Sequence, residues 1–157
     1  TRNLVVENGI VPLEAGRVDL IVCDFVLEHV DDVPAFAREV DRLLKPGGVF
    51  CARTPHRLHY VTLAARLVGN ARHRSWLRAI QPDRPSESVF PTRYRLSTFA
   101  QVRRAFKGWS DHSYYYPSEP QYYFGTRWGF RLFSILHRLA PRPLTGNLFI
   151  FLRKPAL

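Results

Sequence analysis

The run Val18-Asp19-Leu20-Ile21-Val22-Cys23-Asp24-Phe25-Val26-Leu27-Glu28-His29-Val30 decides how the rest of the chain is read. Its first six residues are nearly continuous in apolar and β-branched side chains, as in a strand covered on both faces of a parallel sheet. Downstream, Asp31-Asp32-Val33-Pro34 sets acids beside a proline, a helix-start signal, and Phe36, Ala37, Val40, Leu43 and Leu44 follow at helical spacing. A helix is therefore predicted over Pro34 to Leu44. It ends at Lys45-Pro46-Gly47-Gly48, because proline cannot continue it and glycine accepts the dihedrals of the exit. Val49 to Thr54 reads as a second strand, and strand, helix, strand with short loops is a βαβ unit.

Working outward, Leu4-Val5-Val6 stopped by Glu7-Asn8-Gly9 reads as the end of another strand. Beyond the βαβ unit, helices are predicted over His59 to Val68 and Arg72 to Ile80, then a loop from Gln81 to Ser88. Leu96 to Phe106 reads as a helix with Ser97-Thr98 as its cap and Phe99, Val102 and Phe106 on one face. His112 to Tyr116 and Asn147 to Arg153 read as the last two strands, with an aromatic helix over Gly125 to Leu139 between them.

With 157 residues, 46% hydrophobic and 23% charged, the composition is that of one globular domain and excludes disordered and fibrous classes. No basic-then-apolar leader is visible, and no apolar run approaches the roughly 18 residues of a spanning helix, so a cytoplasmic location is expected. The sequence opens at Thr1 and contains no methionine, which suggests an excerpt of a longer reading frame. Cys23 and Cys51 make neither a disulfide framework nor a zinc motif; two reduced thiols are expected, and no metal. The net charge of +10 is uneven. Residues 1–50 hold five Lys or Arg against nine Asp or Glu, while residues 51–157 hold eighteen against four. The basic half would attract acidic partners, although the dominance of Arg over Lys also fits codon bias. No nucleic-acid recognition motif accompanies the charge, so nucleic acid is not the expected partner.

The strand-and-turn run above, together with Leu43-Leu44-Lys45-Pro46-Gly47-Gly48, resembles the fourth-strand and fifth-strand motifs of class I S-adenosylmethionine-dependent methyltransferases, specifically their small-molecule subgroup. Glu7-Asn8-Gly9-Ile10-Val11-Pro12-Leu13 resembles the same family's acidic segment after the third strand, with Glu7 where the family usually has Asp. The resemblance is strong over residues 7–54 and faint beyond. It implies an α/β, doubly wound, mostly parallel Rossmann-like sheet. The chain is read as a single, N-terminally incomplete methyltransferase domain over 1–157. Its parts are a cofactor-side βαβ core over 1–55, a helical insertion over 56–90 and C-terminal helices and strands over 91–157. The family's glycine-rich cofactor loop and ribose-binding acid are absent, because Gly47-Gly48 precedes a strand instead of a helix. Two βα units are expected upstream, and these residues alone are expected to fold poorly and to be inactive.

The resemblance implies S-adenosylmethionine as cofactor, with Glu7 and Asn8 at its adenine and the backbone around Cys23 and Asp24 at its methionine end. In an open α/β sheet ligands bind beyond the carboxyl ends of the strands, which places Cys23, Asp24 and Phe25, then Thr54, Pro55 and His56, at the rim. A hydroxyl acceptor would call for a base that titrates near neutrality. His29 and His56 suit that role best and Asp24 or Tyr60 less well, while Glu28 and His29 can equally cap the next helix or hydrogen-bond across the loop. Gly125 to Leu139 sets Arg127, Arg131, Ser134 and Arg138 on one stripe and Trp128, Leu132, Phe133, Ile135, Leu136 and Leu139 on the rest. Such a helix commonly packs its apolar side on a sheet, and alternatively lies on an anionic membrane, which would suit a lipid-linked acceptor. The expected function is methyl transfer to a small-molecule or lipid-linked acceptor. The rival is a non-catalytic, truncated module that binds an acidic partner or membrane surface.

Overall fold

In the computed structural model the βαβ unit forms where the apolar pattern places it. The structure describes residues 3–6, 9–60, 62–63, 92–117, 120 and 126–156. Strand β1 (Val18–Asp24) runs parallel to β2 (Leu44–Pro55), and helix α1 (Val33–Leu43) connects them. Asp32 caps α1, its carboxylate accepting from the Ala35 amide at 2.8 Å, and Pro34 sits in the first turn, where its missing N–H costs nothing. Ala37, Val40 and Leu43, spaced one turn apart, are the residues the helix buries.

The exit from α1 differs from the expected loop. Lys45-Pro46-Gly47-Gly48 already lies within β2, as a bulge between the pairs Val18↔Leu44 and Leu20↔Val49. The sequence signal was right about the dihedrals: Gly47 sits at φ +75, and a Cβ on Gly48 would meet the Lys45 carbonyl oxygen at 2.9 Å. The backbone of the bulge is held by the chain end, since the Lys154 amide donates to the Gly48 carbonyl at 2.9 Å. Strand assignment therefore reaches back to Leu44 even though the local sequence reads as a turn.

The remaining elements are α2 (Phe99–Ala105), β3 (Ser110–Asp111), β4 (Tyr114–Pro117), α3 (Arg127–Leu139), α4 (Arg142–Thr145) and β5 (Gly146–Arg153). The sheet runs β1-β2-β5-β3, with β4 also pairing β5 and β3 antiparallel to β5. This is the open α/β, Rossmann-like architecture expected from the sequence. Helix α2 starts at Phe99, three residues after the expected start at Leu96, and Thr98 of the expected cap pair is its cap, accepting from the Gln101 amide at 3.2 Å. Of the strand expected over His112 to Tyr116, Tyr114 to Tyr116 lie in β4, while His112 and Ser113 separate it from β3. At the break the Ser113 hydroxyl accepts from the Phe151 amide at 3.1 Å, taking the place of a ladder carbonyl. Leu4 to Val6 do not form the expected strand. None of the described strands pairs with them, and a strand without a ladder partner has no hydrogen bonds to hold it. Residues 60, 62 and 63 are helical, in line with the start of the helix expected over His59 to Val68. The rest of that helix, the helix over Arg72 to Ile80 and the loop after it lie outside the described residues.

The chain forms two compact units, one of residues 1–54, 92–114 and 148–157 and the other of residues 55–91 and 115–147. In the first, Phe50 of β2 is 0% exposed and sits between Phe36 of α1, edge-on at 6.1 Å, and Phe106, stacked at 5.3 Å. Leu44, Leu96, Val102, Leu148, Ile150 and Leu152 complete this core. In the second, Tyr60 stacks on Phe133 of α3 at 6.1 Å and meets His137 edge-on at 5.4 Å. Helix α3 corrects the packing expectation. Thr126 caps it as a helix start should be capped, yet none of its side chains is buried.

Candidate functional site

At the carboxyl end of β1 the chain must leave the sheet sharply, and the residue that does so is not glycine. Phe25 adopts φ 52, a left-handed conformation that costs a non-glycine residue free energy, and its amide donates to the Arg53 carbonyl on β2 at 2.9 Å. Immediately before it, the Asp24 carboxylate takes two hydrogen bonds from the Arg53 guanidinium, both at 2.6 Å, and that guanidinium lies 4.5 Å from the centre of the Phe25 ring. The pair is solvent-accessible on both sides. Burial pushes the Cys23 thiol up to about 11, so it is a neutral thiol at physiological pH and not a nucleophile.

A single 3₁₀ turn, Leu27–His29, follows and buries Glu28. The Thr54 hydroxyl of β2 donates to the Glu28 carboxylate at 3.0 Å. Desolvation raises the Glu28 pKa, opposed by hydrogen bonds from its own amide and from Thr54 and by the nearby His29. The Glu28 carbonyl also receives the Arg93 and Tyr94 amides, at 2.6 and 3.0 Å, and Tyr94 is the other described non-glycine residue with positive φ, at 53. One left-handed residue, Phe25, thus precedes the turn that buries Glu28, and the other, Tyr94, donates to the Glu28 backbone carbonyl. Of the alternatives for Glu28, the hydrogen bond across the loop is observed, while Asp32 caps the helix. Thr54→Val keeps the side-chain volume and leaves the buried carboxylate without its hydroxyl donor. Chemical unfolding is expected to show a loss of about 2 kcal/mol; a loss within error of zero would mean that water replaces the hydroxyl.

The segment after Glu7 and Asn8 is fixed to α1. Glu39 accepts from the Val11 amide at 2.8 Å, and Arg42 donates to the Val11 and Leu13 carbonyls at 3.0 and 2.7 Å. Glu39 and Arg42 also bind each other at 2.7 Å, and that hydrogen bond lowers the Glu39 pKa. Nothing in the helical periodicity foretold this use of Glu39 and Arg42.

Cys23, Asp24, Phe25, His29 and Thr54, all named from the sequence, are therefore brought to one strand end, with Arg53 and Tyr94 added by the fold. Tyr94 carried no sequence signal, and Arg53 only that of a strand position next to the rim. Glu7 and Asn8 lie outside the described residues. His56 belongs to the second unit. It is buried there, edge-on to Tyr115 at 5.7 Å, and its Nδ1 accepts from the Leu58 amide at 3.1 Å. Desolvation is the main cause of its lowered pKa, against a hydrogen bond with the Pro143 backbone. Among the described residues no group of three or more His, Cys, Asp or Glu could hold a metal, and no helix is long and apolar enough to cross a membrane.

Comparison with known proteins adds a second line. Residues 2–52 match the methyltransferase domain family. The chain is 43% identical over 49 residues to a Mycolicibacterium smegmatis protein named "Probable S-adenosylmethionine-dependent methyltransferase", covering 31% of this chain and 19% of that one. It is 41% identical over 66 residues to the ubiquinone biosynthesis O-methyltransferase of Methylobacterium nodulans, covering 41% of this chain and 26% of the other. The matched segments thus span about a fifth to a quarter of these relatives. In fold it resembles the crystal structure of a SAM-dependent methyltransferase from Methanosarcina mazei, with a TM-score of 0.55 at 16% identity over 96% of this chain and 66% of the other.

Proposed function

We propose that this chain, which carries a methyltransferase domain match over residues 2–52 and the fold of S-adenosylmethionine-dependent methyltransferases, serves methyl transfer to a small-molecule or lipid-linked acceptor. The observation that carries the reading is the end of β1, where Cys23 and Asp24 meet the left-handed turn at Phe25, the place where an open α/β sheet receives its ligand. S-adenosylmethionine, when bound, supplies an activated methyl group, so the protein's task is alignment and exclusion of water.

The residues present suit that cofactor. A sulfonium is cationic, and here the Arg53 guanidinium at the strand end is already paired with Asp24, beside a neutral thiol and an aromatic ring. In this reading Cys23 and Asp24 hold the methionine end. Glu7 and Asn8 hold the adenine, and the segment from Val11 onward is anchored to Glu39 and Arg42. His29, half-buried next to Glu28, takes the proton of a hydroxyl acceptor. His56, the second candidate base, has its Nδ1 engaged by the Leu58 amide. The family match speaks against the rival, a module with no cofactor.

Titration calorimetry of S-adenosylmethionine against the full-length protein tests the reading. Binding is expected, with a roughly 10-fold weakening in Glu7→Ala from loss of one charge-assisted hydrogen bond. Absence of binding would overturn the proposed function. Unchanged affinity in the variant would remove Glu7 from the site and leave the rest standing.

A further inference from the structure

The helix least accounted for by the fold is α3. It meets the described part of its own unit along one side, where Phe133 and His137 contact Tyr60. Stepping about 100° per residue, Ile135, Trp128, Leu139, Leu132 and Leu136 fall on an arc roughly opposite that contact. They are large, apolar and open to solvent: Trp128 and Leu139 are each 79% exposed and Leu132 is 57% exposed. Along one border of this arc run Arg127, Arg138 and Arg131, all exposed, with Arg131 placed 5.7 Å from the Trp128 ring. Arg142 of α4 adds a fourth cation just beyond. From residue 120 to the end the sequence holds no Asp or Glu. The four arginines form no ion pair among the described residues.

We infer that α3 docks this protein on the surface of an anionic lipid bilayer, with Trp128, Leu132, Ile135, Leu136 and Leu139 entering the headgroup boundary and Arg127, Arg131 and Arg138 binding lipid phosphates. The composition of the helix selects this occupant. Exposed apolar side chains bordered by exposed arginines are the two attractions an interfacial helix uses, and a tryptophan at the boundary is the aromatic such interfaces favour. At 13 residues the helix is about 20 Å long, short of the roughly 30 Å hydrocarbon core, so it lies on the bilayer and does not cross it. A second copy is a poorer occupant, because pairing two such helices sets arginine stripes together with no carboxylate on either. The inference is independent of the proposed methyl transfer.

Co-sedimentation of the full-length protein with vesicles tests it. The protein is expected to pellet with mixed phosphatidylglycerol and phosphatidylcholine vesicles, less at high salt, and to stay in solution with phosphatidylcholine alone. Each of Arg127→Gln, Arg131→Gln and Arg138→Gln is expected to lower partitioning about 5-fold. Leu132→Asp with Leu139→Asp is expected to abolish it. All these positions are exposed, so thermal unfolding should be unchanged, and a variant that unfolds early is replaced by the arginine series. Three results would overturn the inference: no pelleting with anionic vesicles, pelleting that these variants leave intact, or a concentration-dependent dimer that the Leu132→Asp, Leu139→Asp variant dissolves.

Discussion

Phe50→Ala is expected to destabilise the first unit by about 3–5 kcal/mol, lowering the thermal midpoint by on the order of 10 °C. The ring is fully buried and wedged between Phe36 and Phe106, and Phe106 in turn meets Trp109 at 5.2 Å, so four aromatic side chains share one cluster. Removing the ring forfeits both its transfer from water and its contacts, and the cavity cannot close fully because β2 is fixed on both sides by β1 and β5. Phe50→Leu retains much of the volume and is expected to cost less than half as much. Scanning calorimetry of the two variants checks this. Equal losses would mean that the aromatic contacts, not the filled volume, stabilise the site.

A second large effect is expected in acid. Burial pushes the His59 imidazole down to about 4, with the positive charges of His137 and His56 adding to the shift. Its ordinary value is about 6.5, which is the value in the unfolded chain. Between those two pH values the unfolded state binds a proton that the folded state refuses, so stability present above pH ~6.5 is lost as the pH falls toward ~4. The full loss from this residue is about 3 kcal/mol. His56, also lowered chiefly by desolvation, acts in the same direction. His59→Phe keeps a ring against Tyr60, which His59 stacks on at 4.7 Å, and is expected to flatten the acid limb of the thermal midpoint against pH. An acid limb as steep in the variant as in the parent would place the proton uptake elsewhere.

The site was legible in the sequence to the extent that it rests on one strand and its turn. Cys23, Asp24 and His29 lie within seven residues of one another, and strand periodicity alone fixes where that strand ends. What the fold added came from a distance. Arg93 and Tyr94 reach the Glu28 carbonyl across more than sixty residues, and the Val11 segment is fastened to α1 by Glu39 and Arg42. Side chains that serve a backbone far along the chain leave no local pattern, so reading by spacing misses them.

By itself the sequence determined β1, α1 and β2, because a buried parallel strand needs continuous apolar residues, a helix start needs a cap, and a sharp exit needs Pro and Gly. It also determined the positions of α3 and β5 through their periodicity. Only the tertiary structure decided which amphipathic face is buried. Helices α1 and α3 both carry an apolar stripe, yet α1 buries Ala37, Val40 and Leu43 while α3 leaves Trp128 and Leu139 in solvent. Periodicity states that a face is apolar, and burial depends on whether another apolar surface lies opposite it, which is a property of the assembled chain.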